Sequence, residues 1–403
     1  MTRVSAATSF VRPSFWGFAV FGAFWGVWGA SIPRLREQAG VTDLELGVAL
    51  LFVGAGALPA MLVVGRLLDR FGLWPAGPLL LALSVAGGAL VSCAHLGPVA
   101  LCMGMAFVGA ASGAADVSLN SLAGRAEQQA GRPVITPAHA TFSALVVVAT
   151  LVTGALNWLG LPVLAPFGLV VAAAAAASVG IVRRTRHAPA NTASAPRTAA
   201  AATASDGLVT VGLLLGIGAL GALAFATENA HQSWIAVFLE DELSVPLGIS
   251  AFGPAVFAAV VAVARFSVSG VGPQHSRALL LTGGFAATVG TVGIAFAPSL
   301  VVALMALAVA AAGTAVLFPT LLGIVSRTVS EDRRGRATSM LTVVAYTGFL
   351  AGPPYVGLIA GTVDLQAALL GVAALAAAMT VLVPVIIRDQ TVRPNDEPVG
   401  DRG

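Results

Sequence analysis

Asp116 and Glu228 stand apart among the chain's 18 acidic residues because each falls inside a long apolar run. A carboxylate in hydrocarbon costs about 3 kcal/mol or more and persists where it binds a solute or carries a proton. Ser112 and Asn120 flank Asp116 at spacings of four, which puts all three on one helix face, expected to line a cavity. Glu228 is followed by Asn229, His231, Gln232 and Trp234, a density of polar and aromatic groups suited to binding a polar solute. His139 and Asp116 are nearly equidistant in sequence from a turn expected near Gln128. At a rise of ~1.5 Å per residue, antiparallel helices bring the two to one depth, where an aspartate and an imidazole can exchange a proton. Trp28 lies with Trp16, Trp25 and Ser31 among Gly22, Gly26 and Gly29, so its ring either stacks on a solute or packs.

Other chemistries lack their residues. There is no Cys-x-x-Cys pair, no Gly-x-Ser-x-Gly elbow and no glycine-rich loop before a lysine. No catalytic residue, metal or cofactor is therefore expected, and the chain reads as a non-enzyme. Cys93 and Cys102 flank a tight turn, where they either bridge or serve as small apolar residues. A net charge of +3, with the arginines placed in loops, gives no support for nucleic-acid binding.

The elements that position these groups follow from composition. A chain of 403 residues that is 57% hydrophobic and 10% charged cannot cover itself with polar surface and needs lipid around it. Runs of about 20 apolar residues cross the hydrocarbon as helices. Twelve are expected, at 14–32, 44–66, 75–95, 99–123, 134–156, 161–182, 208–239, 246–268, 277–297, 299–325, 337–361 and 364–387. The first is a span rather than a signal peptide, since many others follow it. Between the sixth and seventh, 183–207 is rich in Ala, Thr, Pro and Arg without apolar periodicity, which suggests a flexible linker. The fold class is thus all-α, with six-helix halves at 1–182 and 208–403. With both termini inside, all 21 basic residues except Arg34 and Arg36 fall on the cytoplasmic side, so a multi-pass protein of the inner membrane is expected.

Two stretches add a resemblance. Gly65-Arg-Leu-Leu-Asp69-Arg70-Phe-Gly72 interrupts the second and third apolar runs, and its glycines suit the ends of a tight polar hairpin. Asp69 there can meet the positive N-terminal end of a neighbouring helix. The pattern resembles the loop signature of the major facilitator superfamily of secondary transporters. That resemblance implies two six-helix bundles built of inverted repeats, a cavity between them, and a role for Asp69 and Arg70 in closing the cytoplasmic side. Arg265 aligns with Arg66 as the echo of this motif in the second half, and Arg336, in a basic loop before the eleventh span, is the candidate partner of Asp69. Gly348-x-x-x-Gly352-Pro353-Pro354-x-x-Gly357 in the eleventh span forms either a bending point or a packing groove. Asp116-Val-Ser-Leu-Asn120, Gly131-Arg132-Pro133, His139, Glu228 and Trp234 are similar to a bacterial group related to fucose permease. These resemblances imply a monomer in contact with lipid that moves a small molecule by alternating access, with protons as coupling ion. Efflux of a small natural product or drug and a flux-free membrane sensor or scaffold are the alternatives.

Overall fold

The computed structural model describes residues 10–186, 207–268, 271–329 and 331–387; the side chains of 207–211 and 331–336 lie outside the description. Among these residues the chain is wholly helical. In chain order the helices are α1 (Val11–Ala39), α2 (Asp43–Phe71), α3 (Ala76–Ala94), α4 (Pro98–Ala130), α5 (Ile135–Trp158) and α6 (Leu164–Thr185). There follow α7 (Gly207–Asp241), α8 (Phe252–Ser267, preceded by one turn at Leu247–Ser250), α9 (Ser276–Ala295), α10 (Leu300–Thr328), α11 (Glu331–Thr362) and α12 (Leu365–Ile386). All 12 are long and apolar enough to cross a membrane. A helix satisfies its own backbone polar groups, which hydrocarbon demands.

Several helices outrun their apolar stretches. α1 continues through Arg34, Arg36 and Glu37 until Gly40 ends it at φ 60, and α4 continues through Arg125 and Glu127 until Gly131 ends it at φ 61. α2 begins with a capping box in which Thr42 and Glu45 satisfy each other's backbone N–H groups. It then runs unbroken past Gly65 to Phe71. Gly65 is therefore not a turn residue, as the sequence suggested: one glycine weakens a helix by about 1 kcal/mol without ending it. Gly72 alone makes the turn, at φ 74. The linker expected at 183–207 lies outside the described residues, except that α6 extends into its first residues and α7 starts at Gly207.

Within the first six helices α2 packs along α4, α1 along α5, and α3 against α4 and α6. In the last six α9 packs along α10, α7 along α11, and α9 against α12. Small residues set these contacts, because helices in lipid gain from close backbone approach. Gly348 of α11 lies against the Ala222 carbonyl of α7, where any side chain would collide. The two sets meet mainly through α2 with α11 and α5 with the α8 region. There a Cβ on Gly357 would lie 2.7 Å from the Gly47 Cα, and one on Gly154 would lie 2.6 Å from the Gly248 carbonyl. These meetings cluster toward the end of the bundle that carries the α1–α2 turn, called here the Arg36 face. The opposite end carries Asp69.

The proline pair in α11 does not break the helix. Pro353 lacks the N–H that would bond the Phe349 carbonyl, and Asn229 Nδ2 donates to that oxygen at 2.6 Å. Trp234 Nε1 donates to the Pro353 carbonyl at 3.2 Å. Gly352 and the Pro353 carbonyl thus pack against α7, at Ala226 and Trp234, while Pro354 lies against Gly47 of α2.

Candidate functional site

Asp116 sits near the middle of α4, and its partner on the same helix face organises it. Asn120 Nδ2 donates to Asp116 Oδ1 and to the Asp116 carbonyl, each at 3.0 Å. The other end of the amide, Oδ1, meets His139 Nε2 of α5 at 3.1 Å. An amide oxygen only accepts, so Nε2 carries the proton. Asp116 and His139 therefore communicate through Asn120 and do not touch, because His139 stands a turn nearer the Asp69 face. Its ring is 4.6 Å from that of Phe18 on α1.

A second cluster forms on the other half. Glu228, near the middle of α7, receives Arg265 Nη2 of α8 on both carboxylate oxygens, at 2.9 and 3.2 Å. Arg265 Nε donates to the Ala315 carbonyl of α10 at 3.2 Å, and Gln232 Nε2 donates to Glu228 Oε1 at 3.2 Å. The Glu228 side chain is 11% exposed and that of Arg265 44%. Arg265 lies in the last turn of α8 and reaches back toward mid-depth, as helical side chains lean toward their N-terminus. The sequence hint was an arginine with Ala264 and Phe266 on either side.

The clusters lie near each other across the boundary between the two sets of helices. His139 lies within electrostatic range of Arg265, and Asp116 within range of the Tyr346 hydroxyl of α11, another residue unmarked in the sequence reading. His139 is exposed and Asn120 half-exposed.

Other expected site residues are used elsewhere. His231 and Trp234 are fully buried. His231 Nδ1 donates to the Thr227 carbonyl at 2.7 Å, Nε2 meets the Thr291 hydroxyl at 3.0 Å, and the ring stacks on Phe257. With Asn229 they hold α7 against α9 and α11. Trp28 is buried against Phe24 and Trp25, so it packs. Asp69 is exposed without an ion pair among the described residues, and Arg70 lies over the Phe71 ring at 5.2 Å. The side chain of Arg336 lies outside the description. Cys93 and Cys102 are both free.

The Arg36 face carries a charge cluster that the sequence reading left unassembled. Arg36 Nη1 pairs with Asp43 at 2.6 Å, and the same guanidinium pairs with Asp241 of α7 at 2.6 Å, so one side chain joins α1, α2 and α7. Burial, then the nearby carboxylates of Asp364, Asp241 and Asp43, push the Glu242 carboxyl above its ordinary range. A recess of about 650 Å³ on this face, lined by Arg34, Glu37, Gln38 and His95, touches neither mid-depth cluster.

The sequence model of the Major Facilitator Superfamily matches residues 274–402. An uncharacterised MFS-type transporter of Yersinia pestis is 27% identical over 389 residues, spanning 90% of this chain and 94% of its own. In sequence the chain is similar to the major facilitator superfamily over that third of its length and to this transporter over most of it. The membrane protein MosC of Rhizobium meliloti is 28% identical to this chain over 356 residues, covering 88% of it and 84% of MosC. Solved structures share its fold. A bacterial homologue of the human lysosomal transporter Spinster, inward-facing and unoccupied, superposes with a TM-score of 0.75 at 14% identity, over 96% and 98% of the two chains. A D-xylose-proton symporter gives 0.70 at 13%, over 96% and 99%. The chain therefore has twelve helices long and apolar enough to cross a membrane in a fold shared with these structures, and the relatives and structural neighbours it resembles are transporters.

Proposed function

We propose that this chain moves a small organic solute across the bacterial inner membrane by alternating access, coupled to protons, with Asp116 as the main proton carrier. The observation that supports this most is the pair of polar clusters at one depth, Asp116–Asn120–His139 on one half and Glu228–Arg265 on the other. Ionisable groups in hydrocarbon are retained for ligands or protons, and a site between two bundles is reached from either side as they rock. The halves are 1–182 and 208–403, joined at 183–207, acting as a monomer with both termini cytoplasmic. In that orientation the Arg36 face is external and closed, and the Asp69 face is internal and open. Asp69 and Arg70 then act in the inward-closed state, with Arg336 as their partner. That a structural neighbour is a D-xylose-proton symporter agrees with proton coupling. Purified protein in proteoliposomes tests the reading. A solute selected by thermal-shift screening should accumulate under an imposed pH gradient and stop doing so when the gradient is collapsed. Binding without gradient-driven flux would favour a sensor and overturn the proposal.

A further inference from the structure

We infer that the solute carries a carboxylate or similar single negative charge, held by Arg265, and that Glu228 is the built-in counter-ion which this charge displaces. The inference rests on the transport reading and gives it a substrate class. Arg265 spends Nε on a backbone carbonyl and Nη2 on Glu228, and Nη1 has no partner among the described residues. Its side chain is 44% exposed at mid-depth, on the side toward His139. A guanidinium presents a planar fork of donors matched to a carboxylate, so a half-occupied one in a cleft is an anion seat.

Charge balance then sets the order of events. Glu228 and Arg265 neutralise each other in the empty cleft. A substrate anion on Nη1 and Nη2 leaves two negative groups on one cation inside a low-dielectric site, which is costly. A proton taken up from the bathing solution by Asp116 and passed to a Glu228 oxygen removes the excess. The Glu228–Arg265 ion pair breaks, an anion–Arg265 pair forms, and one proton accompanies one anion without net charge movement. The surroundings of Glu228 support this assignment. Arg265 meets it from α8, Tyr346 is the titratable group at this depth on α11, and the Ala315 carbonyl faces the pair from α10. α12 has no titratable side chain among its described residues, and α1 has none between Arg12 and Arg34. Across the cleft stand Asp116 on α4 and His139 on α5.

Chemical rescue tests the seat with a defined probe. The full chain is purified in detergent and its thermal unfolding followed in acetate and, separately, in uncharged acetamide at equal ionic strength. Glu228→Ala leaves room for a small carboxylate beside Arg265, so acetate should raise its unfolding temperature saturably while acetamide does not. The Glu228→Ala/Arg265→Gln double variant should not respond. Glu228→Gln, which keeps the shape and mimics the protonated acid, should bind acetate about tenfold more tightly than the wild type at neutral pH, and with less dependence on pH. If Glu228→Ala does not fold, Glu228→Gln and the wild type in acid against alkaline buffer carry the test. Equal responses to acetate and acetamide, or acetate binding that survives loss of Arg265, would overturn the anion seat. Because no gradient is present, that failure leaves proton-coupled transport untouched. Saturable acetate binding combined with flux blind to a pH gradient would remove the coupling instead.

Discussion

The two halves place their ionisable groups at the same depth but handle them differently. In α4 and α5 an acid and an imidazole are separated by a neutral amide, so either can change protonation while Asn120 holds the geometry. In α7 and α8 an acid and a guanidinium are in direct contact, so neither can change alone without leaving a bare charge. A proton carrier needs the first arrangement. A ligand seat that must remain neutral when empty needs the second.

The sharpest way to break this contrast is Arg265→Ala. It strands Glu228 without its cation, and transport should be abolished with a stability loss of about 2–3 kcal/mol, because half-exposure of the arginine lessens the cost of a fully buried broken pair. Thermal unfolding and flux measured on one preparation check both parts; near-wild-type values for both would mean that the pair is idle. Asn120→Leu should have a smaller effect, since it keeps both titrating groups and removes only their link. Proton-driven uptake is expected to fall about tenfold with binding of the screened solute retained, a loss of roughly 1.4 kcal/mol. An unchanged pH profile of uptake would show that the amide bridge is passive.

The Arg36 face offers milder perturbations. Asp241→Asn leaves Arg36 paired with Asp43 and removes the bond to α7, one partly exposed ion pair worth about 0.2–1 kcal/mol. Labelling of a cysteine placed on that face should rise up to about fivefold. The smallest change expected is from Glu242→Gln. The folded state raises the Glu242 carboxyl, so it holds that proton more tightly than the unfolded chain, and the ionised group destabilises the fold at neutral pH. The variant should unfold at a slightly higher temperature at neutral pH, and the advantage should shrink as pH falls through the raised range. A constant advantage across pH would point away from charge.

The Asp116 face was legible in the sequence because periodicity alone puts residues four apart on one side of a helix, and span number followed from apolar run length. The roles of Asn229 and Trp234 were not, since they depend on which face of α7 meets Pro353, a rotation fixed by the close approach of Gly348 and Gly352 to Ala222 and Ala226. The pairing of Arg265 with Glu228 was missed for a different reason. Matching it to Arg66 by motif drew attention to the cytoplasmic end of the span, whereas its long side chain reaches back along the helix to Glu228. Gly65 likewise suggested a turn, but helix continuity on both sides outweighs a single glycine.

Proton movement itself tests the central claim most directly. Proteoliposomes loaded with a pH-sensitive dye are given the screened solute with no imposed gradient, comparing wild type with Asp116→Asn. The wild type should acidify or alkalinise the lumen in step with solute entry, while Asp116→Asn exchanges labelled for unlabelled solute without moving the dye signal. Full solute-linked proton movement by Asp116→Asn would contradict the assignment of Asp116 and transfer the carrier role to Glu228.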